Sequence, residues 1–363
     1  MVVLPWERGR IEPGGAPLKK IPWKKLFNPL FLIAVFSLTI WSVFNGVDLN
    51  ELWKGLHQAN LAWLVPGVLC VLVYILSESV IIRYLLHTLQ TKVSFRHCCL
   101  FSFVGFFYSC ITPGAGGGQP MQVLTMRKAR IPVAVSSVVL AIITLTFKMV
   151  LTLFGLVVMI VRPAAWMVYL EPVQFWIYAG LILNAIWITG LLLLIFWPAL
   201  VRKLADLLMK LLKKLHLLRN PQRMAGRVER TLSQYQGTSE FFRSHLSVIF
   251  KVLLITAVQR ATLFLVTWLV YRSFSLEGCG VGTVVGLQTM IAVSSDMMPV
   301  PGGMGISEAL FLEIFGPIFG EGLVLPGMVL SRGISYYTQL FISGVMTAVS
   351  SFVFREKKKK GRE

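Results

Sequence analysis

Two glycine-rich breaks, set in apolar stretches long enough to reach into a bilayer, constrain this chain more than any other feature. Pro113-Gly114-Ala115-Gly116-Gly117 leads into Gln119-Pro120, and Pro301-Gly302-Gly303-Met304-Gly305 leads into Glu308. Proline lacks the backbone donor a helix needs, and glycine brings no side chain to hold helical geometry. Both segments therefore interrupt helices. Non-helical backbone at membrane depth persists only where protein or a water-filled cavity satisfies its polar groups. Two such interruptions at matching places in two halves of a chain point to a binding site between them.

The surrounding sequence sets the class. Of 363 residues, 56% are hydrophobic and only 14% charged, too apolar for a soluble domain of this length. Pro29–Val47, Leu61–Ile82, Val133–Val161, Gln174–Trp197, Ser247–Tyr271 and Leu323–Phe354 each supply the roughly 20 residues that cross ~30 Å of hydrocarbon. The expected fold is an all-α polytopic membrane protein with about six spanning helices and two re-entrant hairpins in an inverted-topology repeat. The first apolar run lacks a small-residue cleavage site and reads as an uncleaved helix.

A net charge of +19 invites a nucleic-acid reading, but its placement argues for topology. The basic residues gather in 1–27, in Arg83 to Arg130 between the second and third spans, in Leu200–His245 and in 355–363. The positive-inside bias places these segments, and both termini, in the cytoplasm of a cell-membrane protein. Anionic lipid heads are then the expected partners of the basic surplus, and nucleic acid is not. Phe95–Val123, flanked on both sides by cytoplasmic charge, cannot cross once. It is expected to dip and return with its tip at Pro113–Gly118, and Val281–Phe319 to do the same from the outside with its tip at Pro299–Gly305. Full crossing by each arm is the alternative.

The implied organisation is a basic segment 1–27, a first membrane repeat 28–165 with hairpin 95–123, and a linking span 166–199. A basic connector 200–245, a second repeat 246–354 with hairpin 281–319 and a basic tail 355–363 complete it. Within the connector, Leu200, Leu204, Leu207, Leu211, Leu215 and Leu218 recur at helical spacing opposite lysines. That pattern fits an interfacial amphipathic helix or a connector packed on the bundle.

Ionisable residues in apolar segments carry the sharper expectations, because a charge at the bilayer centre costs at least ~2.5 kcal/mol and so faces a cavity or a partner. Glu78, Lys148, Arg260 and Arg332 lie on spans, and Asp296, Glu308 and Glu313 in the second hairpin. Internal pairs such as Asp296 with Arg332 and Glu78 with Arg260 are the bland expectation. A polar cavity at the hairpin tips is the sharper one, with Gly114, Gly117, Gln119, Lys148, Arg260, Gly302, Gly303, Glu308 and Arg332 as candidate substrate-binding residues. Cationic side chains and exposed backbone donors are what a phosphate head requires.

The remaining signals exclude more than they assign. Cys70, Cys98, Cys99, Cys110 and Cys279 show neither a disulfide framework nor a metal spacing. No nucleotide loop, zinc motif or nucleophile elbow is present, so no cofactor and no catalytic residue is expected. Asp48 and Glu51, the acidic pair an outer-loop sugar transferase would use, read as capping residues of a short polar loop.

Ile111-Thr112-Pro113-Gly114-Ala115-Gly116-Gly117-Gly118-Gln119-Pro120 with Met126-Arg127-Lys128, and Pro299-Val300-Pro301-Gly302-Gly303-Met304-Gly305-Ile306-Ser307-Glu308, resemble the two signature segments of the lysylphosphatidylglycerol synthase membrane-domain family. The resemblance covers almost the whole chain and includes the membrane half of the multiple peptide resistance factor. It implies flippase-like movement of an anionic phospholipid or lipid-linked group between leaflets. The bifunctional members add a soluble lysyltransferase domain for which the tail here leaves no room, so the chain itself is not expected to be that enzyme. A lysyltransferase system, another membrane transferase, or an accessory subunit for a separately encoded lipid-modifying enzyme are the alternatives. Gln119 stands where some relatives carry glutamate. If the tip glycines let backbone approach a ligand, Gly117→Val and Gly303→Val should fold yet abolish lipid movement, measured as melting temperature and leaflet exchange on the same preparations.

Overall fold

In hydrocarbon the backbone must satisfy its own donors and acceptors, and a helix does so within one segment. The computed structural model describes residues 49–161, 164–197, 243–296, 298–320 and 322–354, with isolated positions between 199 and 241, and its regular elements are helical. The predicted first span Pro29–Val47, both terminal basic segments and nearly all of the Leu200–Leu218 pattern lie outside the described residues.

Helix α1 (Leu49–His57) replaces the polar loop expected around Glu51, and its Gly55 lies against Pro326. Helix α2 (Leu61–Thr88) starts at Asn60, whose side chain accepts a hydrogen bond from the Ala62 N–H at 2.9 Å, satisfying one of the orphan donors of a helix start. Two short helices follow, α3 (Phe95–Ile111) and α4 (Gly118–Lys128), and then the long α5 (Val133–Val161). A short α6 (Ala164–Leu170) and a single 3-10 turn lead into α7 (Gln174–Phe196). The second half begins with α8 (Leu246–Ser273), continues through the short α9 (Val281–Ser295) and α10 (Ile306–Phe319), and closes with α11 (Val324–Arg332). The last helix runs without a break through a π-helical turn, Gly333–Thr338, into α12 (Gln339–Val353).

Length separates two kinds of helix. Among the described residues four are long and apolar enough to cross a membrane: Leu61–Thr88, Val133–Val161, Trp166–Leu193 and Leu246–Ser273. At ~1.5 Å per residue, α3, α4, α9 and α10 are each too short to cross ~30 Å, and they form two helix–break–helix hairpins. The chain is an all-α polytopic membrane protein. Along α2 the residues Leu61, Val65, Leu69, Val73, Leu76 and Val80 stay exposed in one stripe, the surface that lipid tails would wet.

The two halves share one plan. Helices α2 and α8 each contain 28 residues and pack on one another along their lengths, with the Gln259 side chain donating to the Tyr74 carbonyl at 2.9 Å. The offset that carries Leu61 to Leu246 also carries Tyr74 to Gln259, so equivalent positions touch. Each hairpin leans on the final helix of the other half, α3 on α12 and α9 on α5. Each is also bracketed by left-handed residues: Gln90 (φ 56°) and Arg130 (φ 67°) around the first, Ser275 (φ 59°) and Gly320 (φ 79°) around the second.

The hairpin tips meet. Pro113 and Pro301 form an antiparallel β-bridge, a pairing that holds Cα atoms about 4.5–5.5 Å apart. Cysteines at such a separation can form a disulfide. Pro113→Cys combined with Pro301→Cys is therefore expected to cross-link under mild oxidation, visible as a faster-running band on a non-reducing gel. Neither single variant should give that band, and its absence from the double variant would contradict the tip contact.

Candidate functional site

The tips share their first turn and diverge at its end, where Gly117 has φ −85° and its counterpart Gly305 φ 84°. After each proline two residues are left-handed, Gly114 (φ 58°) with Ala115 (φ 55°) and Gly302 (φ 59°) with Gly303 (φ 68°). In the first tip Ala115 N–H donates to the Thr112 carbonyl at 3.1 Å and Gly116 N–H to that of Pro113 at 3.2 Å; in the second Gly303 N–H reaches Val300 at 3.2 Å and Met304 N–H reaches Pro301 at 3.1 Å. The offset that carries Pro113 to Pro301 carries Gly118, where α4 starts, to Ile306, where α10 starts. An antiparallel pairing of equivalent residues is what a local two-fold axis produces, as in a self-complementary interface.

Around the second tip Glu308 is a clamp. Its carboxylate accepts from the Gly305 N–H at 2.7 Å, the Ser307 hydroxyl at 2.9 Å and Arg332 Nε at 2.7 Å, while Arg332 Nη2 donates to the Gly302 carbonyl at 2.9 Å. Glu308, Arg332 and Gly302, three of the sequence-derived candidates, thus form one network. Tyr336, one helical turn beyond Arg332 on the π turn, donates to the Cys110 carbonyl at 2.9 Å and ties the second half to the first tip's arm.

A second charge cluster lies on the other side. Lys148 forms a salt bridge with Asp296, and Arg260 Nη2 stands 4.0 Å from the same carboxylate. The Arg260 guanidinium sits 3.2 Å over the Phe147 ring. Arg260 is 5% exposed, and its Nε and Nη2 atoms make no hydrogen bond among the described residues. The offset relating the tips also carries Lys148 to Tyr336, so equivalent positions on the two long closing helices each brace the opposite hairpin, one with a charge and one with a hydroxyl.

The expected pairs are dealt differently. Asp296 pairs with Lys148 and Arg260 instead of Arg332, and Arg332 pairs with Glu308. Glu78 makes no ion pair with Arg260; its partner is Gln122, whose Nε2 donates at 2.6 Å. Gln122 reaches it across Gly105 of α3, where any Cβ would collide with the Gln122 side chain. Gln119 donates to the Thr144 hydroxyl, and Thr144 is the positional counterpart of Arg332. The first hairpin is therefore held by hydrogen bonds from amides where the second is held by ion pairs.

The glycine expectation also changes. A Cβ on Gly117 would stand 2.5 Å from Thr112 Cγ2 and 2.9 Å from Oγ1, the oxygen that accepts the Gly117 N–H at 2.8 Å. Valine at Gly303 would enter a left-handed conformation with Ser295 Cβ at 3.2 Å. Both substitutions disturb the fold, so neither separates structure from ligand approach. At Gly114 an added Cβ would meet nothing nearer than a carbonyl oxygen at 3.9 Å. Its backbone is left-handed, a conformation the neighbouring Ala115 already holds with a side chain, so alanine at Gly114 is the cleaner test of ligand approach. Beside the second tip a cavity of about 340 Å³ is lined by Pro172, Val173, Trp176, Gly305, Ala309 and Glu313 among others.

A family model described as the lysylphosphatidylglycerol synthase TM region matches residues 30–343, which includes both tips and every charged residue named above. The UPF0104 membrane protein of Archaeoglobus fulgidus is 22% identical over 313 residues, 84% of this chain and 91% of that protein.

Removing one member of a buried charge cluster strands the others, at a cost of about 3–5 kcal/mol. Asp296→Asn is therefore expected to destabilise the protein strongly in a detergent melt. Adding Lys148→Met should recover part of the loss, because one of the two stranded cations is gone. Melting of Asp296→Asn at the wild-type temperature would show the cluster to be unimportant for the fold.

Proposed function

This chain belongs to the lysylphosphatidylglycerol synthase transmembrane-region family, and from that premise we propose that it moves an anionic phospholipid or lipid-linked group between leaflets. The observation that carries the reading is Arg260, buried, with two guanidinium nitrogens lacking a hydrogen-bond partner among the described residues. A buried donor left unmade costs free energy that a ligand oxygen would recover. Lys148 is already drawn to Asp296, so the free donors of the cluster belong to Arg260, and a phosphate oxygen suits them. The cavity beside the second tip, with Trp176 and Ala309 on its wall, offers apolar surface for an acyl chain.

The same proposal includes an inverted-topology repeat with both termini in the cytoplasm of the cell membrane and the hairpins re-entrant. Matching helix lengths, the shared first turn of the tips and the contacts between equivalent residues, Tyr74 with Gln259 and Pro113 with Pro301, support it. Alternating access between two such halves around a fixed site is how repeat-built transporters work.

A second reading, an accessory subunit for a separately encoded lipid-modifying enzyme, draws on the fully engaged Glu308–Arg332 clamp, which leaves little of that pair for a ligand. Reconstitution separates the two. Proteoliposomes should exchange a labelled anionic phospholipid between leaflets faster than protein-free liposomes, and Arg260→Ala should slow the exchange roughly 10-fold, the factor that corresponds to about 1.4 kcal/mol. Arg260→Lys should fall between them. Exchange no faster than in protein-free liposomes would favour the accessory reading.

A further inference from the structure

Among the described residues Glu78 is the one buried acidic group that the site does not use. It is buried on α2 with Ile75, Ile81 and Ile82, and Gln122 Nε2 is the donor that reaches it, at 2.6 Å on Oε1. No ion pair forms at Glu78 among the described residues, where every other buried carboxylate has a cation. None of the charged groups on the surrounding elements forms an ion pair with Glu78. Arg260 on α8 and Lys148 on α5 are drawn to Asp296, Arg332 beside the π turn to Glu308, and Arg83 on α2 lies exposed over the Phe95 ring. Arg127 and Lys128 sit exposed at the far end of α4. Tyr74 lies one turn before Glu78 on α2, and the ionisable groups of the adjoining α3 include the thiols Cys98, Cys99 and Cys110 and the phenol of Tyr108.

An isolated carboxylate in such surroundings neutralises instead of staying ionised. We propose that Glu78 is a proton-binding site, a neutral carboxylic acid whose carbonyl oxygen is Oε1 and whose Oε2 carries a proton taken from the aqueous phase. The amide of Gln122 donates to Oε1, a bond that a carbonyl oxygen accepts. Gln122 is on α4, the return arm of the first hairpin, and it reaches Glu78 only through the gap at Gly105. Loss of the proton would leave an unpaired negative charge in apolar surroundings, and the hairpin arm must then shift to admit water or a cation. The second hairpin, held by the Arg332–Glu308 and Lys148–Asp296 pairs, has no equivalent release. Proton binding at Glu78 thus fixes the position of the first hairpin, and, resting on the transport reading for this consequence alone, couples lipid movement to protons.

Infrared difference spectroscopy on the full chain in phosphatidylglycerol-containing nanodiscs tests the proton site without any transport. Wild type at neutral pH should show the carbonyl stretch of a protonated carboxylic acid, and Glu78→Gln should remove it. Gln122→Leu, which keeps Glu78, should move that band to higher frequency by freeing its carbonyl. A missing band in wild type, a band that survives Glu78→Gln, or one that ignores Gln122→Leu would each overturn the proposal. Proteoliposomes under an imposed pH gradient test the coupling. Wild type should change its leaflet-exchange rate with the gradient, and Glu78→Gln should exchange at a rate that ignores it. A gradient response that persists in Glu78→Gln would overturn the coupling. If wild type moves no lipid while the infrared band is still assigned to Glu78, the transport reading fails and the proton site stands.

Discussion

The contact between Pro113 and Pro301 is the constraint from which the rest of the structure follows. Each tip abandons the helix for a few residues, and the freed backbone groups then need other partners. The tips provide these for one another and for themselves, through the repeated turn bonds of Thr112 and Pro113 and of Val300 and Pro301. Once tip must meet tip, the arms have to be short and the long helices have to wrap them. Each hairpin then lies against the closing helix of the other half, so neither half could bury its hairpin alone.

Between positions that correspond in the two halves the chemistry is uneven. Lys148 and Tyr336 occupy equivalent places, yet one brings an ammonium and the other a phenol. Arg332 and Thr144 are likewise equivalent, and they bind Glu308 and Gln119 respectively. Charge has collected around the second hairpin, while the first is secured by amides and hydroxyls. Buried charge pairs resist separation because parting them strands an ion. Neutral hydrogen bonds exchange with others at a net cost of only about 0.5–1.5 kcal/mol. The two hairpins therefore differ in what holds them.

Much of this was legible in the sequence because it depends on backbone chemistry. Proline and glycine within apolar runs located both tips, and run length located α2, α5, α7 and α8. The family resemblance also held. Partner choice was not legible, since hydrophobic periodicity says which residues share a helix face and not which helices meet. Asp296 and Arg332 look like natural partners along the chain, but the crossing of α9 onto α5 brings Lys148 to Asp296 first. Gln122, Gly105 and Phe147 escaped notice for a related reason: a neutral amide, a small residue and an aromatic ring carry no signal until a third element is packed against them. The offset shared by the two tips relates Lys148 to Tyr336 and Thr144 to Arg332, but it names no partner for any of them.

The left-handed residues at the hairpin roots have a mechanical consequence. Gln90, Arg130 and Ser275 are not glycines, and an L-residue held in that conformation costs roughly 1–2 kcal/mol. Glycine there would let the root sample many angles at little cost. A bulkier residue narrows the choice to one sharp bend, so both roots of the first hairpin and the leading root of the second are stiff elbows, whereas Gly320 leaves the trailing root of the second less restricted. With the far ends touching at the tips, displacement of one hairpin is felt by the other across the prolines.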